Sequence, residues 1–235
     1  MLNNRLKTKL SRGETANGVI LQWPSPEIVE YLGHLGFDYV FIDAEHGYIG
    51  RERCADMCRA ADASGIVPLV RVPENNAATI LGYLECGAMG IIVPHVSTAE
   101  GAAAAAAAVR YAPLGHRGGG SSTRPANYGA TQTSTEYFTR ANETILLYVM
   151  IEDMEGVDNL DAILAVDGVD VVAFGPGDFA LSMGYPGQSN HPEVQRIIGA
   201  AREKIRAVKP GVMRHTGAGE LFGNGARAFL AGAAA

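Results

Sequence analysis

Polar side chains suited to acid–base chemistry follow apolar runs at several points along this chain. The clearest case is residues 37–47, where a strand-type run ends in Asp43, Glu45, His46 and Gly47. An imidazole beside a carboxylate is a common pair for proton transfer near neutral pH. We therefore predict that Asp43 orients the imidazole of His46, with Glu45 in the same network.

Two further apolar runs end in carboxylates, Glu152 and Asp178. Paired carboxylates with open coordination positions suit a hard divalent cation, Mg²⁺ or Mn²⁺, with Co²⁺ as a further option. The alternative is that both carboxylates cap helices. Because Asp178 follows Gly175-Pro176-Gly177, a less natural place for a cap, we favour the metal site.

Three more positions complete the predicted site. Arg71 ends an apolar run, where its guanidinium could hold a substrate carboxylate through two hydrogen bonds or pair with a carboxylate of the protein. The backbone N–H groups of Gly177 and Asp178 suit a carboxylate oxygen. Trp23 is expected to wall the mouth of the site. His95 ends another run, and the sequence leaves open whether it reaches the site or packs at its rim.

These residues need a scaffold that gathers strand ends. Short apolar runs alternate with amphipathic helical segments, which indicates βαβ units with parallel strands buried on both faces. Parallel strands that deliver reactive side chains at their carboxyl ends build the active site of a (β/α)₈ barrel. We predict one α/β domain over residues 1–235, a TIM barrel with an incomplete or swapped C-terminal helix. The eight predicted strands are residues 18–23, 39–43, 67–72, 90–94, 145–151, 169–174, 211–214 and 227–231.

Composition narrows the class of function. The formal net charge of −6 argues against a nucleic-acid partner, which favours basic surfaces. No apolar run has the length or hydrophobicity of a signal peptide or a membrane span. The three cysteines, Cys54, Cys58 and Cys86, follow no disulfide framework, although the first two could pair as metal ligands. We expect a cytoplasmic protein with reduced thiols.

A cation, an arginine and an acid–base pair together suit the chemistry of a 2-oxo acid. The cation would bind the carboxylate and oxo oxygens and stabilise the enolate formed at C3. A Schiff-base mechanism needs a buried lysine. No lysine ends a predicted strand, which favours the metal-dependent route.

Several motifs in order resemble the HpcH/HpaI aldolase family, the metal-dependent class II pyruvate aldolases. The resemblance covers nearly the whole chain up to about residue 208. The matching segments are residues 37–46, 70–73, 87–94, 110–118, 150–152, 175–178 and 191–194.

The resemblance implies reversible cleavage of 4-hydroxy-2-oxo acids to pyruvate and an aldehyde. It places the metal ligands on Glu152 and Asp178 and the catalytic pair on His46 and Asp43. Arg71 would hold pyruvate, helped by the backbone of residues 177–178. The family also implies a homohexamer, a trimer of dimers with exchanged helices.

The chain departs from the family pattern in two places. Met150 stands where some members carry glutamine, and the C-terminal region is short. Val212 is expected near the aldehyde end of the substrate. Two alternatives are an acyl-CoA lyase of the citrate lyase β type and a barrel scaffold without catalysis. The natural aldehyde, the stereochemical outcome and the preferred metal are not encoded in any motif.

Overall fold

The computed structural model describes residues 4–232 and contains a parallel sheet of seven strands. Their spatial order is β6-β5-β4-β3-β2-β1-β7, and every neighbouring pair runs parallel. The strands are β1 (Thr15–Leu21), β2 (Tyr39–Asp43), β3 (Val67–Arg71), β4 (Gly90–Val93), β5 (Leu146–Ile151), β6 (Val171–Phe174) and β7 (Val212–Gly217).

Helices cover the outside of the sheet. They are α1 (Arg5–Ser11), α2 (Pro26–His34), α3 (Arg51–Ser64), α4 (Ala77–Cys86), α5 (Ala99–Val109), α6 (Ser134–Thr144), α7 (Met154–Asp158), α8 (Leu160–Leu164), α9 (Pro176–Ser182), α10 (Pro192–Val208) and α11 (Ala218–Leu230). A 3₁₀ segment spans Arg124–Gly129. None of the described helices is long and apolar enough to cross a lipid bilayer.

Local sequence signals explain where several elements begin. Ser25 caps α2 by accepting the N–H of Ile28 at 3.2 Å, with Pro26 in the first turn. β2 and β3 are buried at every position, as expected for apolar strands covered on both faces. The predicted α/β class and parallel sheet are therefore confirmed.

The prediction of a closed barrel of eight strands is wrong in one respect. Residues 227–231, predicted as the eighth strand, lie at the end of α11 instead. Such a short apolar run fits either a strand or a buried helix segment, and residues 218–230 together form an amphipathic helix beside β1 and β7. The seventh predicted strand becomes β7, which pairs with β1. The curled sheet thus keeps two edges, β6 and β7.

All strand carboxyl ends lie at one rim because the strands are parallel. β2 ends at Asp43 and β3 at Arg71, in register with each other. β5 leads directly to Glu152, and β6 leads to α9 with Asp178 in its first turn. The topology therefore brings residues that are far apart in sequence to the same rim.

We predict opposite effects on stability from two glycine substitutions. A Cβ at Gly18 would lie 2.3 Å from the ring of fully buried Tyr39, so Gly18→Ala should destabilise the fold by about 1–3 kcal/mol through overpacking. Gly199 is exposed in α10 with no atom within 4 Å, so Gly199→Ala should stabilise it by about 0.5–1 kcal/mol. Chemical unfolding measures both, and shifts of the same sign would contradict this packing.

Candidate active site

A buried ion pair joins the ends of β2 and β3. Nε and Nη2 of Arg71 donate to the two carboxylate oxygens of Asp43 at 2.9 and 2.7 Å. Asp43 is fully buried, and Arg71 is 8% exposed. A two-point contact of this kind fixes both side chains. The guanidinium also lies 5.4 Å from the centroid of the Phe41 ring.

The protonation states of this pair follow from its geometry. Burial alone would raise the pKa of Asp43, but the hydrogen bonds and charge of Arg71 outweigh it and hold this pKa below its ordinary value of 3.8. Burial would likewise lower the pKa of Arg71, but Asp43 raises it. The carboxylate therefore stabilises the fold near neutral pH and loses that contribution as the pH falls from 3.8 towards its lower folded pKa.

Asp43 also shapes the turn after β2. One carboxylate oxygen accepts the backbone N–H groups of Glu45 and His46, each at 3.2 Å, and the other accepts the side-chain amide of Gln22 at 3.1 Å. The predicted contact between Asp43 and the imidazole of His46 is therefore wrong. Because Arg71 and the turn occupy this carboxylate, Asp43 positions His46 through its backbone.

The imidazole of His46 instead faces two other carboxylates. Its Nε2 lies 3.8 Å from Oδ2 of Asp178 and 3.7 Å from Oε2 of Glu45. The side chain is 49% exposed. The ring is therefore open to a substrate and stands directly beside a predicted metal ligand.

Glu45 and His95 connect Arg71 with Glu152. Oε2 of Glu45 lies 3.1 Å from Nη1 of Arg71, and its Oε1 lies 3.3 Å from Nε2 of His95. The other ring nitrogen of His95 is 3.2 Å from Glu152, whose carboxylate also accepts the His95 backbone N–H at 2.8 Å. His95 adopts a φ of 52°, in the left-handed region. The question left open by the sequence is answered: His95 reaches the site.

Glu152 is 2% exposed and keeps one oxygen without a partner. His95 serves Oε2, whereas Oε1 accepts no hydrogen bond from the described residues. A Cβ at Gly175 would lie 2.0 Å from this free oxygen, so only glycine leaves room for the carboxylate. Burial raises the pKa of Glu152, the nearby negative charges of Asp178 and Glu45 add to the rise, and His95 opposes it.

The donor set around Glu152 fits a divalent cation. A buried oxygen without a partner, with the charge of Asp178 close to it, is the arrangement that a cation would satisfy. Within residues 4–232, no group of three or more His, Cys, Asp or Glu side chains forms a cage for a metal. Two carboxylates alone leave positions for substrate and water, as Mg²⁺ commonly requires.

Comparison with known proteins identifies the family. The model of the HpcH/HpaI aldolase/citrate lyase family matches residues 18–215. A 2-keto-3-deoxy-L-rhamnonate aldolase of Salmonella typhimurium strain LT2 is 38% identical over 208 residues, which cover 88% of this chain and 77% of the relative. The chain belongs to the HpcH/HpaI aldolase/citrate lyase family. The predicted resemblance is confirmed, and with it the class of enzyme, a carbon–carbon lyase of the pyruvate aldolase type.

Solved structures agree with this assignment. A HpcH/HpaI aldolase/citrate lyase family protein from Burkholderia cenocepacia J2315 has a TM-score of 0.87 and 27% identity, covering 99% of this chain and all of the other. The citrate synthase SbnG has a TM-score of 0.83 and 29% identity, with coverages of 97% and 96%. The same fold therefore also occurs in a protein named as a citrate synthase.

The amino end of α9 completes the rim of this HpcH/HpaI family member. The backbone N–H groups of Gly177 and Asp178 have no acceptor among residues 4–232. No atom lies within 4 Å of a Cβ built at Gly177, so the space above it is open. Both donors are therefore available to an anionic group of a substrate.

The remaining predicted residues divide between the two ends of the sheet. Trp23 follows β1 at the rim, is 39% exposed and lies 5.8 Å from the ring of Phe222 in α11. Val212 begins β7 opposite Thr15, the first residue of β1. Because the strands are parallel, Val212 lies at the amino end, away from the rim. The expectation that it contacts the substrate is therefore wrong.

We predict that Asp43→Asn is strongly destabilising, because it leaves the buried guanidinium of Arg71 without its charged partner. The expected loss is about 3–5 kcal/mol, measured by chemical unfolding. Asp161→Asn is the matched control, since Asp161 pairs with Lys204 at 3.0 Å on the surface with side chains 77% and 59% exposed. Its effect should be small. Equal losses in the two variants would contradict the structural role of the Asp43–Arg71 pair.

Proposed function

We propose that this enzyme cleaves a 2-keto-3-deoxy sugar acid to pyruvate and a hydroxyaldehyde, and catalyses the reverse addition. The buried oxygen of Glu152 without a partner, close to Asp178 and on the same rim as Arg71, carries this proposal. The relatives named 2-keto-3-deoxy-L-rhamnonate aldolase support the substrate class.

The cation would be held by Glu152 and Asp178, with Mg²⁺ or Mn²⁺ as the proposed metals and Co²⁺ as a further option. When bound, it would stabilise the negative charge that develops on oxygen as the carbon–carbon bond breaks. The oxygen donors favour these hard ions over soft ones.

The pyruvate half of the substrate is placed by Arg71 and the amino end of α9. Asp43 holds two nitrogens of Arg71, so Nη1 faces Glu45 and the site. The free N–H groups of Gly177 and Asp178 would hold the substrate carboxylate, and the positive charge of Arg71 favours the enolate. Trp23 would form one side of the entrance to the site.

His46 is the proposed general base. In the cleavage direction it takes the proton of the C4 hydroxyl, the bond between C3 and C4 breaks, and its electrons form the enolate of pyruvate. The aldehyde leaves, and C3 then takes up a proton. The exposed ring, held beside Glu45 and Asp178, can exchange that proton with water.

Assembly and compartment are also proposals. Large apolar side chains on α11 are exposed, among them Phe222, Phe229 and Leu230. An exposed apolar face of this kind supports a homo-oligomer, and we propose a hexamer built as a trimer of dimers. The three cysteines are free, which supports work in a reducing compartment, the cytoplasm.

We predict that His46→Ala lowers kcat for cleavage by about 10²–10⁴-fold, because the general base is lost. The affinity for Mn²⁺, measured by calorimetry, should remain close to that of the parent protein. His34→Ala is the matched control, because His34 is an exposed histidine of α2. A near-normal kcat for His46→Ala would assign proton transfer to another group.

The function is tested by pyruvate release from 2-keto-3-deoxy-L-rhamnonate and from related 2-keto-3-deoxy acids. We expect turnover with Mn²⁺ or Mg²⁺, its loss in a chelator and its return when metal is restored. Exchange of the methyl protons of pyruvate with deuterated solvent, measured without aldehyde, isolates enolate formation. Exchange without cleavage would change the proposed substrate, whereas turnover that survives the chelator would remove the metal.

A further inference from the structure

A second cavity opens between the two edge strands and reaches the rim at Pro176. It has a volume of about 660 Å³ and is lined by β6, β7 and the C-terminal half of α10. Small-molecule sites commonly have volumes of ~300–1,000 Å³. None of the carboxylates or histidines of the candidate active site lines it, nor does Arg71.

Four cationic side chains line this cavity, and none of them forms an ion pair within residues 4–232. They are Arg202, Arg206, Lys209 and Arg214. Within residues 4–232, no carboxylate lies within 4 Å of any of them, although other cations of α10 are paired. Lys204 contacts Asp161 at 3.0 Å, and Arg196 contacts Glu193 at 2.6 Å.

The carboxylate of Glu220 also lines the cavity, and one of its oxygens accepts the hydroxyl of Thr216 at 2.7 Å. One carboxylate thus faces four cations. In a chain with a net charge of −6, this positive excess is local to the cavity.

A tyrosine hydroxyl adds a neutral donor. The Tyr148 residue is 1% exposed and lines the cavity, and its hydroxyl donates to no described residue. Because this hydroxyl is open to the cavity rather than sealed in the core, it is available to a ligand there. Burial and the negative charge of Glu152 raise the pKa of Tyr148, and the positive charges of Arg71 and Arg202 oppose the rise.

The walls of the cavity add further donors. His215 lines it with Nδ1 3.1 Å from the Tyr39 hydroxyl, and burial lowers the pKa of His215, as do the charges of Arg71 and Arg202. β6 and β7 each have only one neighbouring strand among the described residues, so each presents an edge of backbone N–H groups without a ladder partner. Cations, hydroxyl and N–H groups are all donors suited to an anion.

We propose that this cavity binds a compact polyanion, a small molecule with two or more phosphate or carboxylate groups. Arg202 of α10 and Arg214 of β7 hold its charges, and the Tyr148 hydroxyl donates to it. This cavity adjoins the 2-oxo acid site but shares no side chain with it, and the proposal does not rest on the proposed function.

Isothermal titration calorimetry tests the proposal on protein freed of metal by a chelating resin, because soluble chelators are themselves polyanions. The probes are pyrophosphate, tricarballylate and, as a monoanion control, acetate. We expect saturable binding of at least one polyanion at millimolar concentration or below, weakening with added KCl. The preferred probe distinguishes phosphate from carboxylate ligands. Failure of all probes to saturate at ~10 mM would overturn the proposal.

Variants separate a built site from general attraction between charges. The double variant Arg202→Gln/Arg214→Gln should weaken binding at least ~10-fold, and Tyr148→Phe roughly 5-fold to 10-fold, through one lost hydrogen bond. Lys204→Gln removes the same charge from α10 outside the cavity and should change affinity by less than ~2-fold. Circular dichroism and unfolding midpoints verify that each variant is folded. Equal weakening by Lys204→Gln, or unchanged binding in folded Tyr148→Phe and the double variant, would overturn the assignment.

Discussion

The two-point contact between Arg71 and Asp43 is the interaction on which the rim depends. It joins the carboxyl ends of β2 and β3 in register, and the same carboxylate holds the backbone N–H groups of Glu45 and His46. Asp43 therefore fixes the guanidinium of Arg71 in the site and positions the turn that carries Glu45 and His46. Breaking a pair of this kind leaves an uncompensated buried charge, so the proposed catalysis and the stability of the fold depend on the same interaction.

The charge balance of the rim supports the proposed metal site. Glu45, Glu152 and Asp178 bring three carboxylates near each other, and the guanidinium of Arg71 is largely neutralised by Asp43. The histidines between these carboxylates separate them but carry a positive charge only when protonated. Among these carboxylates, Glu152 constrains the sequence most, because its free oxygen occupies the space that any side chain at position 175 would need. A divalent ion would offset the repulsion between the carboxylates and would give the free oxygen of Glu152 a partner.

Sequence reasoning succeeded where a strand ends in a polar group and had less success where backbone geometry decides. Asp43, Arg71 and Glu152 could be predicted at the rim because each follows an apolar run. The contact between Asp43 and His46 could not be predicted, because a spacing of three residues allows the carboxylate to bind either the ring or the backbone N–H of His46. The bridge through His95 needs a left-handed residue after Pro94, for which no sequence signal exists. The last apolar run fits strand or helix by pattern alone, and in the structure it continues the helix that begins at Ala218.

The ladder between β1 and β7 joins Thr15 to Val212, residues from nearly opposite ends of the chain. Strands β1 to β6 each pair with a neighbour in sequence and can assemble progressively as the polypeptide leaves the ribosome. One edge of β1 therefore remains unpaired until β7 has been synthesised. Contacts over so long a separation slow folding because the intervening loop must close first. The nascent chain thus has an unpaired strand edge for most of its synthesis. During that time, pairing of β1 with another molecule competes with its pairing with β7.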